Sequence, residues 1–257
     1  MAENELEVTK ESKLLIIKLN RPHKRNAINL QMYKKIRNTL KEAEEDDVTI
    51  VVVTGVGDYF TSGNDFSLDG FGEEDMEVLT RNKVDYVRAF LHSLIHFPKL
   101  LVAVINGHVV GIGVTMLGLF DLVYCVDDAT FHTPFSDLGI CAEGCSTYTL
   151  PRSMGKSLAA QMLYFSKKIT AKEAKDSGFV AQLIKKSEIP MIFESLKVHS
   201  TLPAKSLLYT KRLVRNHDLP ALNVALNMEN EYLIELFQSE DFMNALMTRM
   251  SKKQSKL

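Results

Sequence analysis

Three uncharged runs rich in β-branched residues, Val48 to Thr54, Leu100 to Ile105 and Leu122 to Val126, constrain this chain more than any other feature. A run with no charge has no solvent face, so each reads as a strand buried on both sides, as in a parallel sheet. Parallel neighbours need crossovers, and helical patterns fill the intervals. Asn29 is placed to cap a helix with apolar positions Met32, Tyr33, Ile36, Leu40 and Ala43. A long amphipathic helix is predicted from about Met76 to His96, with Val84, Val87, Phe90, Leu91, Leu94 and Ile95 inward and Pro98 ending it. Asn106 to Gly113 leads into an apolar helix reaching about Phe120.

The remaining segments follow the same alternation. Leu6 to Leu19 reads as two short strands broken at Lys10-Glu11-Ser12, and Ser67 to Asp75 as a flexible acidic loop. Gly155 to Phe165 is helical, and Thr170-Ala171-Lys172-Glu173 is a capping-box start for another helix, stopped by Gly178. Phe179 to Ile184 reads as a last short strand. From Glu188 onward the chain is helical: one helix to about Ser200, one opened by Pro203, one from Ala221 to Gln238 and one from Glu240 to Lys252. The expectation is an α/β core over residues 1–200 and a helical region over 201–257.

Charge and cysteine use narrow the classes of function. The 31 basic and 32 acidic residues nearly cancel, which points to neither nucleic acid nor an anionic membrane as partner. Cys125, Cys141 and Cys145 are few and odd in number, as in a reducing compartment, and no second Cys/His pair matches them for a metal site. The acidic start Met-Ala-Glu-Asn-Glu lacks a secretory h-region, and no apolar run is long and uninterrupted enough for a membrane span. The final Ser255-Lys256-Leu257 matches the tripeptide read by the peroxisomal import receptor, so the matrix of that organelle is the expected location.

Between Asp137 and Arg152 the only ionisable carboxylate is Glu143, set among small and apolar neighbours. Desolvation there would raise its pKa and make it a better base near neutral pH; a surface Glu in a Gly-rich turn is the plainer alternative. Two glycine turns follow buried strands, Ser62-Gly63-Asn64-Asp65 and Gly111-Ile112-Gly113, and the second opens a helix. Each could aim backbone N–H groups at a developing negative charge. Gly111-x-Gly113 lacks the third glycine and acidic residue of a dinucleotide site. His92, His96, His108 and His132 have no paired carboxylate spacing and read as structural or rim residues. The methionines Met228, Met243, Met247 and Met250 read as core or subunit contacts.

The order of these pieces carries a resemblance. Asn20-Arg21-Pro22-x-x-x-Asn26-Ala27, Phe60-x-Ser62-Gly63-x-Asp65, Ala103-Val104-Ile105-Asn106-Gly107-x-x-x-Gly111-x-Gly113, Asp121-Leu122-Val123, Ala129-Thr130-Phe131 and Leu138-Gly139-x-x-x-Glu143-Gly144 together resemble the crotonase (enoyl-CoA hydratase/isomerase) superfamily. The resemblance implies a spiral of ββα units with a helical C-terminal trimerisation region, acting on acyl-CoA thioesters as a homotrimer or dimer of trimers. It implies oxyanion donors at the backbone amides of Ser62 and Ile112. It also implies an acyl-CoA site drawn from Lys24, Arg25, Ala27, Thr61, Ser62, Gly63, Asn64, Asp65, Phe66, Gly111 and Phe135. Lys24 and Arg25 fit either the CoA phosphates or a solvated loop, and Asp65 either a CoA contact or a helix cap.

Departures from the pattern select a reaction. Hydratases of this superfamily carry glutamates at the positions of Thr115 and Phe135, and dienoyl isomerases carry carboxylates at those of Phe135 and Glu143. A single glutamate at the Glu143 position resembles the peroxisomal Δ3,Δ2-enoyl-CoA isomerases of fatty-acid β-oxidation. Vertebrate members of that subgroup often add an N-terminal acyl-CoA-binding domain, for which these 257 residues leave no room. The reaction so implied is proton transfer by one base, Glu143, with no metal or redox cofactor and the CoA thioester as substrate. Ala142, Cys145 and Phe135 would keep that base dry. A hydratase or dienoyl isomerase of the same fold, and an inactive acyl-CoA binder, are the alternatives. Asp69 or Glu73 reaching in would revive the first.

Overall fold

The computed structural model describes residues 5–65 and 76–254; for residues 76–80 and 249–254 it describes the backbone alone. Phe66, the loop expected over Ser67 to Asp75 and the Ser255-Lys256-Leu257 tripeptide lie outside the described residues.

A hairpin of β1 (Leu6–Glu11) and β2 (Leu14–Leu19) opens the chain, turning at a left-handed Ser12. In α1 (Leu30–Glu45) the Asn29 side chain accepts the Met32 N–H, and the five predicted apolar positions are all buried. Then come β3 (Ile50–Gly55), β4 (Tyr59–Thr61), α2 (Met76–His96), β5 (Leu100–Ile105) and β6 (His108–Val110). The expected apolar helix up to Phe120 is instead β6, one α-turn, α3 (Ile112–Thr115), and a 3-10 turn over Met116–Leu119. Gly118 explains the tightening: a Cβ there would lie 2.4 Å from Thr149 Oγ1, so this turn packs backbone-close on its neighbour.

The chain continues through β7 (Leu122–Val126), β8 (Thr130–His132), α4 (Ser146–Met154), α5 (Lys156–Phe165), β9 (Ile169–Thr170), α6 (Ala171–Asp176) and β10 (Gln182–Ile184). The helix α4 has no counterpart in the sequence reading, because Pro151 interrupts its pattern. Helices α7 (Ile189–Ser200), α8 (Ala204–Asn216), α9 (Leu219–Leu236) and α10 (Glu240–Gln254) finish it.

The strands form two sheets. The larger runs β1-β2-β3-β5-β7-β10, parallel beyond the hairpin, and holds the three uncharged runs at its centre. The smaller runs β4-β6-β8-β9, with β4, β6 and β8 parallel. The pairs β3/β4, β5/β6 and β7/β8 each send one strand of five or six residues to the first sheet and one of three residues to the second. Burial of the Leu, Ile and Val side chains between sheet and helices stabilises the core by roughly 1.5–3 kcal/mol per residue.

The C-terminal helices are tied to that core by polar anchors. Lys211 Nζ of α8 donates to the Lys99 carbonyl at 2.5 Å and to Asp121 at 2.7 Å, and Arg215 reaches Asp121 and the Leu119 carbonyl. Helix α9 packs along α2 and α4.

Candidate active site

The site follows from the smaller sheet. Because β4, β6 and β8 run parallel, the segments leaving their C-terminal ends emerge side by side: Ser62-Gly63-Asn64, Gly111-Ile112-Gly113 and the stretch from Thr133 toward Glu143. The first two touch. Gly63 has φ +90°, and a Cβ there would lie 2.9 Å from the Val110 carbonyl and 3.7 Å from Gly111 Cα, so only glycine fits. The third is drawn against them at Gly144, where a Cβ would meet Thr115 Oγ1 at 2.4 Å and Ile112 Cδ1 at 3.4 Å.

The backbone donors differ from expectation at one position. The Ser62 N–H donates to the Arg25 carbonyl at 2.9 Å, so it is already committed and does not offer a free donor. Asn64 sits opposite Ile28 in a parallel bridge whose bonds use the Gly63 carbonyl and the Asp65 N–H. The Asn64 N–H therefore faces away from Ile28 and has no partner among the described residues. The Ile112 N–H is the first of α3, where an orphan amide is expected, and it too is unpartnered among the described residues.

Glu143 is 6% exposed. Its Oε1 accepts one bond, from Asn64 Nδ2 at 3.3 Å, and Asn64 Oδ1 in turn accepts from the buried Tyr33 hydroxyl at 2.7 Å. Desolvation pushes the Glu143 carboxyl up to about 8, the nearby negative charge of Glu229 adds to the rise, and the Asn64 amide opposes it. The Tyr33 hydroxyl is itself held well above its usual range by burial and by Glu143. A carboxyl poised near neutral pH with a single long hydrogen bond has lone pairs left for a proton in flight.

Glu229 was not singled out in the sequence. It arrives from α9, 5% exposed, and its two oxygens take the Cys145 N–H at 2.7 Å, the Thr147 N–H at 3.1 Å and the Thr147 hydroxyl at 2.5 Å. Those amides are the start of α4, which has no cap of its own: Cys145 is left-handed (φ 60°) and supplies no side-chain bond. The spacing of apolar residues in α9 marks its buried face but gives no sign of which distant helix that face meets.

The other predicted residues divide by what they touch. Thr61 is fully buried, with its hydroxyl donating to the Asn26 carbonyl and accepting the Gly63 N–H. Ala27 is buried, and its carbonyl accepts from Arg21. Asp65 is ion-paired with Arg21, which also pairs with Glu5, so it locks the start of the chain to this turn and caps no described helix. Lys24 and Arg25 are exposed on the preceding loop, with the Arg25 guanidinium 5.2 Å from the Tyr59 ring centroid. Phe135 is buried at the entry to the 136–138 turn, its carbonyl accepting the Leu138 and Ile140 N–H groups. Cys145 is fully buried, and Ala142 partly so. Among the described residues no group of three His, Cys, Asp or Glu side chains could hold a metal, and no helix is long and apolar enough to cross a membrane.

The two-sheet ββα architecture with converging glycine turns is that of the enoyl-CoA hydratase/isomerase family, whose pattern matches residues 9–256. The chain belongs to this family, the crotonase fold. It is 43% identical over 247 residues to rat enoyl-CoA delta isomerase 2, covering 96% of this chain and 63% of that protein. It is 42% identical over 249 residues to mouse enoyl-CoA delta isomerase 3, peroxisomal, covering 96% of this chain and 78% of the relative. A solved enoyl-CoA hydratase/isomerase from Pseudoalteromonas atlantica superposes with a TM-score of 0.88 at 25% identity, over 97% of this chain and 98% of that one. The chain thus spans a little under two thirds of the length of the rat relative.

Proposed function

We propose that the protein is a Δ3,Δ2-enoyl-CoA isomerase that converts 3-enoyl-CoA to trans-2-enoyl-CoA. One observation carries this reading: Glu143, a buried carboxylate with an elevated pKa and one weak partner, is bonded to the Asn64 side chain on one of the two turns that carry unpartnered backbone amides. The similarity to proteins named enoyl-CoA delta isomerase supports it. The thioester carbonyl oxygen would accept from the Asn64 and Ile112 N–H groups. Glu143 would break the C2–H bond and take the proton, leaving a dienolate spread from the carbonyl oxygen to C4. It would then return that proton to C4, and the double bond comes to rest between C2 and C3. No water is added and no electrons are gained or lost overall.

A hydratase needs a second free carboxylate to orient water. The hydratase positions hold Thr115, whose hydroxyl donates to the Ile112 carbonyl, and Phe135. Glu229 is close but already engaged by three donors, which leaves Glu143 as the less encumbered of this buried pair. Purified protein assayed against 3-enoyl-, 2-enoyl- and 3,5-dienoyl-CoA tests the choice: turnover confined to 3-enoyl-CoA is expected, and hydration of 2-enoyl-CoA at a comparable rate would overturn it. Proton exchange at C2 in D₂O would eliminate an inactive binder.

Two features of location and assembly belong to the same proposal. Ser255-Lys256-Leu257, together with the name of the mouse relative, supports peroxisomal import; a reporter fused ahead of the chain should lose its peroxisomal pattern when these three residues are removed. Val224, Met228 and Tyr232 form an exposed stripe on α9, beside exposed Leu213 and Val214 on α8, which suits a homo-oligomer such as a trimer. Sedimentation equilibrium would read a single subunit mass if that surface is left unpaired.

A further inference from the structure

We infer that Glu229 is a positioning residue for the isomerase base: its carboxylate pins the 143–147 turn and places a negative charge beside Glu143. The inference rests on the isomerase reading given above. Three features carry it. The turn that delivers Glu143 has no local cap, with a left-handed Cys145 at the helix boundary and the Gly144 backbone wedged against Thr115. Glu229 supplies the missing acceptors from a helix 82 and 84 residues away in sequence, taking both free amides and the Thr147 hydroxyl. And the group is buried, so the charge acts through protein rather than bulk water.

The arrangement separates two jobs that one carboxylate could have done. The positive end of α4 attracts an anion, and Glu143, two residues ahead of Cys145 in the chain, is a carboxylate that could satisfy those amides if Glu229 did not. A Glu143 so captured would be a weaker base and would point the wrong way. With Glu229 in place, the helix start is neutralised and Glu143 is left facing Asn64. Burial pushes the Glu229 carboxyl above its usual range, and its three donors work against that rise by favouring the charged form.

The titrating groups around the pair are few. Tyr33 on α1 and Cys141 on the same turn face Glu143, and both are pushed upward, so they stay neutral at working pH. Burial and Glu229 push Cys145 up to about 12, and the positive charge of Arg215 on α8 acts on that thiol in the opposite sense. Beside desolvation, the negative charge of Glu229 is thus the charge among the described residues that opposes ionisation of Glu143.

Glu229→Gln keeps the shape and removes the charge. The acidic limb of kcat/KM should then move to lower pH by about one unit, with kcat reduced about tenfold by the loosened turn and KM nearly unchanged. A direct titration of the Glu143 carboxyl, by infrared difference against Glu143→Gln, should show the same downward shift without any substrate. This second readout separates the two ideas: absence of isomerase turnover in the wild type sinks the functional reading, whereas an unmoved Glu143 titration sinks the role of Glu229. If Glu229→Gln does not fold, Thr147→Val decides, since it removes one donor at an exposed position. Its expected shift has the same sign and is smaller, because a less supported Glu229 carries less charge. An unchanged Glu143 titration in the variant that folds overturns the inference.

Discussion

The starts of α4 and α6 are both closed by a glutamate, and the two do it in opposite ways. At α6 the cap is local: Thr170 accepts the Glu173 N–H, and Glu173 reaches back to the Thr170 N–H while also pairing with Lys167. Those bonds hold the exposed Glu173 carboxyl below its usual range. At α4 the cap comes from Glu229, far away in sequence, and the local glutamate, Glu143, stays out of the helix start. Left with one long hydrogen bond and shielded from solvent, Glu143 sits near 8. A glutamate beside a helix start is a cap when it is allowed the amides and a base when another residue takes them.

The largest effect expected from breaking this contrast is at Glu143. Glu143→Gln should lower kcat by roughly 100–10,000-fold, measured by conversion of 3-enoyl-CoA, while binding of a CoA thioester persists. The same substitution should stabilise the fold at alkaline pH. The folded carboxyl titrates near 8 and the unfolded one near 4.5, so the native state binds the extra proton between those values. Wild-type stability therefore falls as pH rises from about 4.5 to 8, by on the order of a few kcal/mol. Thermal melts of the two proteins should nearly coincide at pH 4, diverge progressively between about pH 4.5 and 8, and keep their full separation above pH 8, with the glutamine variant higher. Coincident melts at pH 9 would mean that Glu143 is not desolvated.

Next in size is Gly63→Ala. The +90° backbone and the 2.9 Å approach to the Val110 carbonyl predict a loss of about 1–3 kcal/mol in chemical denaturation, with activity falling as the Asn64 amide shifts. Asn64→Ala is gentler, since it removes the one donor to the base and leaves the backbone amide. The acidic limb of kcat/KM should rise by up to about one unit, opposite in sign to the change expected for Glu229→Gln. Equal signs for the two would break the assignment of donor and like charge. Smallest is Thr170→Ala, which removes the local cap of α6: about 0.5–2 kcal/mol of stability should go and turnover should not change.

The long elements were legible because each carries its own period or its own punctuation. The ends of β5 and β7 coincide with their uncharged runs, and Asn29 and Thr170 cap as their residue types demand. The short strands β4, β6 and β8 escaped, since three residues hold no period and their pairing is decided by neighbours some 20–50 positions away. Missing those strands led the helix after Gly111 to be drawn too long. The Ser62 donor was what the resemblance implied, and the parallel bridge of Asn64 with Ile28 turns the Asn64 amide outward instead.

The sequence by itself determined a buried parallel sheet, two glycine turns and one carboxylate in an apolar stretch, because local composition controls strand burial, backbone freedom and the lack of nearby charge. Only the tertiary structure decided which amides are free and why that carboxylate titrates so high. Hydrogen-bond saturation is a property of what packs against a group: Arg25 uses the Ser62 amide, Glu229 uses the start of α4, and Asn64 alone reaches Glu143.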